Sequence, residues 1–220
     1  MKRMSFRAGV LLSMSMALLP VAGAGLSAPA AFAQSASAAT TATPQGSIAV
    51  LYKALDQIQN SHDSFAQRSQ TVAAAIDQSY DLDAVLKASI GLRYNTLAPD
   101  EKQKLLAAFR NYTAARYVSN FKPGSDVRFT VAPTVTDSPV GGGKIVQTHL
   151  GSEDSMPGTE VDYLMQNENG AWKITDVLLT DTHISQAAAQ RSDFSSTLIS
   201  SGVPGLISFL ERKVQSYSSN

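Results

Sequence analysis

Residues 160–179 constrain this chain more than any other stretch, because they can form little except a β-hairpin. Val161-Asp162-Tyr163-Leu164-Met165-Gln166 leads into Asn167-Glu168-Asn169-Gly170, and Ala171-Trp172-Lys173-Ile174-Thr175-Asp176-Val177-Leu178-Leu179 returns. Asn-Gly between two β-rich runs marks a tight turn, since glycine accepts the positive φ that such turns demand. The two-residue period sends Val161, Tyr163 and Met165 to one side of the sheet, with Asp162 and Gln166 on the other. On the return strand it groups Trp172, Ile174 and Asp176 on one face, and Lys173, Thr175, Val177 and Leu179 on the other. A sheet with one oily face must be covered, and the helical runs on either side are the available cover.

Far upstream, residues 1–33 read as a secretory signal peptide. Lys2, Arg3 and Arg7 precede an apolar run over 8–19, and Ala31-Phe32-Ala33 offers small residues where a signal peptidase reads. Ser13, Ser15 and Pro20 interrupt the run, which falls short of the roughly 20 apolar residues of a membrane span. Residues 34–47, rich in Ala, Ser, Thr and Gln, are expected to be a disordered linker, and a folded domain is expected over 48–218. Of the 18 basic side chains, the leader holds 3; the 15 left face 18 acidic ones, a balance of about −3. That balance argues against nonspecific binding of nucleic acid, which needs a strongly basic surface.

Helical spacing begins near Ile48 and continues through Val50, Leu51, Leu55 and Ile58, then Phe65, Val72, Ile76 and Tyr80. Leu82, Val85, Leu86 and Ile90 form a further stripe that Gly91 terminates. Pro99-Asp100-Glu101 opens the longest helix, with acids at its positive end, and Leu105, Leu106, Phe109, Tyr112, Ala115, Arg116 and Val118 carry it to Phe121. Strands are expected over 127–135 and 144–150, joined through Gly141-Gly142-Gly143, so the hairpin completes a meander of about four strands. After Thr180, Ile184, Ala187, Ala188, Arg191, Phe194, Leu198 and Ile199 make one amphipathic helix. Ser201-Gly202 ends it, and Pro204 starts another with Leu206, Ile207, Leu210 and Val214 facing inward.

The chemical inventory is thin. There is no cysteine, hence no disulfide, thiolate metal site or cysteine nucleophile. His62, His149 and His183 show no paired ligand spacing, so no metal site is expected. No serine sits in a nucleophile elbow, and the glycine run before Lys144 lacks the spacing of a phosphate loop. Asp176 is either a buried general base or, as such residues more often are, an acceptor for a neighbouring loop or a basic side chain such as Arg191. The Asn111-Tyr112-Thr113 sequon falls in mid-helix and is read as incidental.

The succession of short motifs carries a resemblance. Ile90-Gly91-Leu92, Phe109-Arg110-Asn111-Tyr112, Val161-Asp162-Tyr163 and Gly170-Ala171-Trp172-Lys173-Ile174-Thr175-Asp176-Val177 appear in order. Arg191-Ser192-Asp193-Phe194, Ser201-Gly202-Val203-Pro204-Gly205-Leu206-Ile207 and the stretch 210–213 close it. In order and spacing this resembles the MlaC family of bacterial periplasmic phospholipid-binding proteins over nearly the whole domain. Thr182-His183-Ile184-Ser185 replaces the Gly-Val-Ser-Leu-like step of many members, and that variant looks closer to the hopanoid-biosynthesis-associated HpnM branch.

The resemblance implies an α+β fold, with helices packed on a twisted antiparallel sheet and an apolar cavity between the two layers. It implies a periplasmic carrier that shuttles phospholipid or hopanoid between the inner and outer membranes. Its partners would be an inner-membrane lipid transporter complex and an outer-membrane lipoprotein complex, with no cofactor and no nucleic acid. Each methylene moved from hydrocarbon into water costs about 0.8 kcal/mol, so a 16-carbon tail would cost on the order of 12 kcal/mol unprotected. Leu105, Phe109, Tyr112, Val161, Tyr163, Met165 and Ile174 are the expected cavity walls, although a plain core would use the same residues. Two alternatives stay open. One is an isomerase-like enzyme using Asp176 with Tyr163 or Tyr112 as acid and base; the other is an adaptor that carries nothing.

Overall fold

The computed structural model describes residues 40–139, 141–179 and 184–219. The leader, most of the linker and Thr182-His183 lie outside the described residues. Helix α1 (Pro44–Gln59) starts four residues before the expected domain boundary. Thr43 caps it by accepting from the Gly46 N–H at 3.1 Å, and Pro44 occupies the first turn, where a missing N–H costs nothing. Residues 44–47 therefore belong to the packed domain and not to the linker, and Ser47 is fully buried.

Local capping explains the next boundaries. A reciprocal Ser64–Gln67 capping box opens α2 (Phe65–Ser79). Asp81 caps α3 (Leu82–Ile90), which stops at Gly91, where φ is 64°. A 3-10 turn (Gly91–Thr96) leads to α4 (Pro99–Asn120), whose Glu101 carboxylate reaches back to the Ala98 N–H at 3.1 Å.

The sheet is an antiparallel meander in the order β1 (Arg128–Asp137), β2 (Lys144–Gly151), β3 (Thr159–Glu168), β4 (Ala171–Leu179) and β5 (Ile184–Ser185). At the hairpin, Asn169 and Gly170 both have positive φ, 52° and 90°, so a two-residue turn joins β3 to β4. The expected alternation holds on β3, where Val161, Tyr163 and Met165 are buried. It fails on β4. Leu164 pairs with Asp176 but Met165 pairs with Ile174, so Thr175 is an extra residue in a β-bulge. The bulge flips the period, so the buried pair is Ile174 and Val177, and Asp176 leaves the face that Ile174 occupies. On β1 the register also slips, between Val131 and Val135 around Pro133.

The fifth strand is a correction too: Ile184 pairs with Leu179 and is half exposed instead of starting a helix. Because β5 is so short, most of the outer edge of β4 needs other partners. The helical segments provide them. Trp172 N–H donates to the Thr41 carbonyl at 2.8 Å, the Ser47 hydroxyl donates to the Trp172 carbonyl at 2.5 Å, and the Asp81 N–H donates to the Ile174 carbonyl at 3.0 Å.

The final helix, α5 (Gln186–Ser218), is two helical halves bent at Gly202 (φ 63°, ψ −161°), just before Pro204. The bend falls where the sequence placed a break, since that backbone geometry suits glycine alone. Phe194, Leu198, Leu206 and Leu210 face the core, whereas Ile199, expected on the inner stripe, is exposed. Helices α1, α2, α3 and α5 contact the sheet, and α4 lies among them.

Candidate functional site

Two hollows lie between α4, α5 and the sheet. The inner one, about 170 Å³, is walled by Phe109, Thr113 and Tyr117 of α4, by Leu82 and Val85 of α3, and by Val161, Tyr163 and Val177 of the sheet. The outer one, about 540 Å³, lies between Tyr112 of α4 and both halves of α5, which contribute Phe194, Phe209 and Tyr217. Arg116, Val177, Gln186 and Gln190 line both, and this shared lining, the throat, is where the two hollows adjoin. The bend at Gly202 brings the second half of α5 back to the outer hollow.

Aromatic rings pack the walls. Phe194 meets Phe109, Tyr112 and Phe209 edge-on, with ring centroids 6.4, 6.3 and 6.2 Å apart. Of the expected cavity walls, Phe109, Val161 and Tyr163 line the inner hollow and Tyr112 the outer one. Leu105, Met165 and Ile174 line neither and are fully buried in packed core.

Deep in this region four tyrosines, Tyr52, Tyr80, Tyr117 and Tyr163, are gathered. Thr148 spends its one hydroxyl proton on the Val161 carbonyl at 2.8 Å, so Tyr52 must donate to the Thr148 oxygen at 2.6 Å. Tyr163 packs edge-on against Tyr52, with ring centroids 5.9 Å apart, and Tyr117 meets the Tyr80 hydroxyl at 2.5 Å. Burial is the main cause that raises the pKa of all four phenols above the ordinary tyrosine value. Burial likewise pushes Tyr112 up to about 12. At neutral pH these phenols are neutral hydrogen-bonding groups and poor proton acceptors.

Asp176 is placed elsewhere. Its carboxylate accepts from the Ser185 hydroxyl, from the Ala187 N–H at 3.1 Å and from the Val177 N–H at 2.8 Å. It anchors the start of α5 in a favourable position for an anion, and neither Tyr163 nor Tyr112 is among these partners. Asp176→Ala is expected to cost roughly 2–3 kcal/mol, because the hydroxyl and the helix N–H lose a charged acceptor. Urea unfolding checks this; a change within experimental error would show that water replaces the carboxylate. Of the histidines, His149 lies 3.5 Å from Glu160 on the neighbouring strand, and His183 is outside the described residues.

The throat is where sequence reading missed most. Arg116 follows Phe109 and Tyr112 on one helical face, seven and four residues on, so a cation on an apolar stripe was the available signal. Gln186 and Gln190 sit four apart at the start of α5; Gln186 meets that cation, and the Gln190 amide oxygen accepts from the Ser89 hydroxyl at 2.8 Å.

A profile of the MlaC protein family matches residues 48–212. The chain belongs to the MlaC family. A solved phospholipid-binding protein from Ralstonia solanacearum, in complex with a phospholipid, shares the fold with a TM-score of 0.64. It is 16% identical, and the match covers 81% of this chain and 98% of that one. No curated protein sequence matches. Among the described residues of this MlaC-family chain, no helix is long and apolar enough to cross a membrane.

Proposed function

We propose that this MlaC-family protein is a periplasmic lipid carrier that takes phospholipid or hopanoid tails between α4, α5 and the sheet and moves them between the inner and outer membranes. The observation that carries this reading is an apolar inner hollow adjoining a larger outer one at a shared throat. The phospholipid held by the Ralstonia protein of the same fold agrees with it. Phe109, Tyr112, Val161 and Tyr163 are the wall residues that tails would touch. The inner hollow is smaller than the roughly 300–1,000 Å³ of a typical ligand site, so loading would move α5 outward about its bend at Gly202. No covalent chemistry is needed, and the neutral tyrosines and the helix-anchoring Asp176 suit a container better than an isomerase. The HpnM-like branch, and with it a hopanoid cargo, rests on the sequence around 182–194. Docking to an inner-membrane transporter complex and an outer-membrane lipoprotein complex is part of the same reading.

The test is native mass spectrometry of the protein purified from membranes, followed by transfer between liposomes. A co-purifying phospholipid or hopanoid and accelerated transfer are expected. A protein that is lipid-free, and whose melting temperature does not respond to added lipid, would sink the carrier reading. Lipid-independent docking without transfer would leave the adaptor.

A further inference from the structure

Arg116 stands apart from the other wall residues. It is half-buried, lines both hollows, and forms no ion pair with a carboxylate among the described residues. Its partner is neutral: with its amide oxygen turned inward, Gln186 accepts from the two terminal guanidinium nitrogens at 2.7 and 3.1 Å. A neutral amide orients a guanidinium but leaves its charge unmatched, and a guanidinium has five N–H donors, more than these two bonds use. Among the described residues, the other charged side chains lining the outer hollow are Lys213 and Asp193, of opposite sign, so with Arg116 their sum is positive. The position matters as much as the charge. A tail in the inner hollow would leave its head group at the throat, beside this cation.

We propose that Arg116, oriented by Gln186, receives the oxyanion of an amphiphile whose tail occupies the inner hollow, which makes the site selective for anionic over neutral lipids of equal tail length. This rests on the carrier reading and adds the class of head group. A phosphate head or a fatty-acid carboxylate would satisfy the same fork, since guanidinium binds either through paired N–H donors.

The experiment measures binding of four probes to the delipidated full chain: phosphatidic acid, diacylglycerol with the same tails, palmitate and inorganic phosphate. Wild type is expected to bind phosphatidic acid at least about tenfold more tightly than diacylglycerol, the usual scale of a charge-assisted pair. Arg116→Gln should shrink that preference to about threefold or less while diacylglycerol affinity holds, and Arg116→Lys should fall between, its charge kept and its fork lost. Palmitate sharing the arginine-dependent gain assigns the site to any oxyanion; phosphatidic acid alone showing it assigns a phosphate head. Equal wild-type affinities for the two diacyl probes, or a preference that survives Arg116→Gln, would overturn the proposal. So would inorganic phosphate binding as tightly as phosphatidic acid, since no tail would then be involved. If Arg116→Gln fails to fold by circular dichroism, the wild-type ratio and Arg116→Lys still decide. Failure of both diacyl probes to bind wild type would refute the carrier reading itself, whereas binding without preference refutes this assignment alone.

Discussion

Phe194→Ala is expected to destabilise the domain by about 3–5 kcal/mol and to improve its capacity for a single acyl chain. Phe194 is only 1% exposed and touches three other aromatic rings, so truncation removes a buried ring and leaves a void that α4 and α5 cannot fully close. For a domain of this size the loss corresponds to a melting temperature lower by roughly 6–20 °C. The void adjoins the outer hollow, and a dry apolar space is what a hydrocarbon tail requires. Calorimetry with and without a fluorescent fatty acid checks both halves. A variant that melts like wild type would mean the rings are loosely held. One that is destabilised but binds no better would mean that tails do not reach this part of the wall.

Alkaline solution should unfold the protein well before its exposed surface would suggest. Tyr52, Tyr80, Tyr117 and Tyr163 all have folded pKa values raised by burial, and Tyr112 is pushed up to about 12. Unfolding returns each to about 10. A raised folded pKa means that the stabilising contribution is fully present below pH 10 and is lost as pH rises through the folded value, because only the unfolded chain can release the protons. Tyr112 alone accounts for roughly 2 kcal/mol by pH 12, and four more buried phenols add to it, against total stabilities of about 5–15 kcal/mol. Thermal melts at stepped pH should therefore show a steep fall above about pH 10. Phenolate absorbance should rise together with the loss of far-UV signal. Smooth ionisation of the tyrosines in a chain that stays folded would show that solvent already reaches these hydroxyls.

Patterning made much of this architecture legible, and the places where it misled have identifiable causes. The Asn169-Gly170 turn, the buried face of β3 and the break at Gly202 follow from backbone rules that single residues obey wherever they occur. The face of β4 does not, because a bulge at Thr175 depends on how two strands share hydrogen bonds, and no residue there announces it. Ile184 looked helical by spacing, yet the edge of β4 drew it into a short pairing. At the site, hydrophobicity picked out Phe109, Tyr112, Val161 and Tyr163, but it could not separate wall from core, and Leu105, Met165 and Ile174 are core. Arg116 was visible as a cation on an oily stripe. Its meeting with Gln186, seventy residues later in the chain, is a product of the fold.

The irregular first strand has a consequence for behaviour at high concentration. Beta1 is the long outer margin of the sheet, where Gln45 donates to the Pro133 carbonyl at 3.2 Å, and its register slip around Pro133 breaks what would be a straight row of amides. A margin that is kinked and short of one donor offers a poor template for a second copy, so these sheets resist zipping together edge to edge. If the interior opens to admit a lipid tail as proposed, the same kink would spare the opened sheet the commonest route to aggregation.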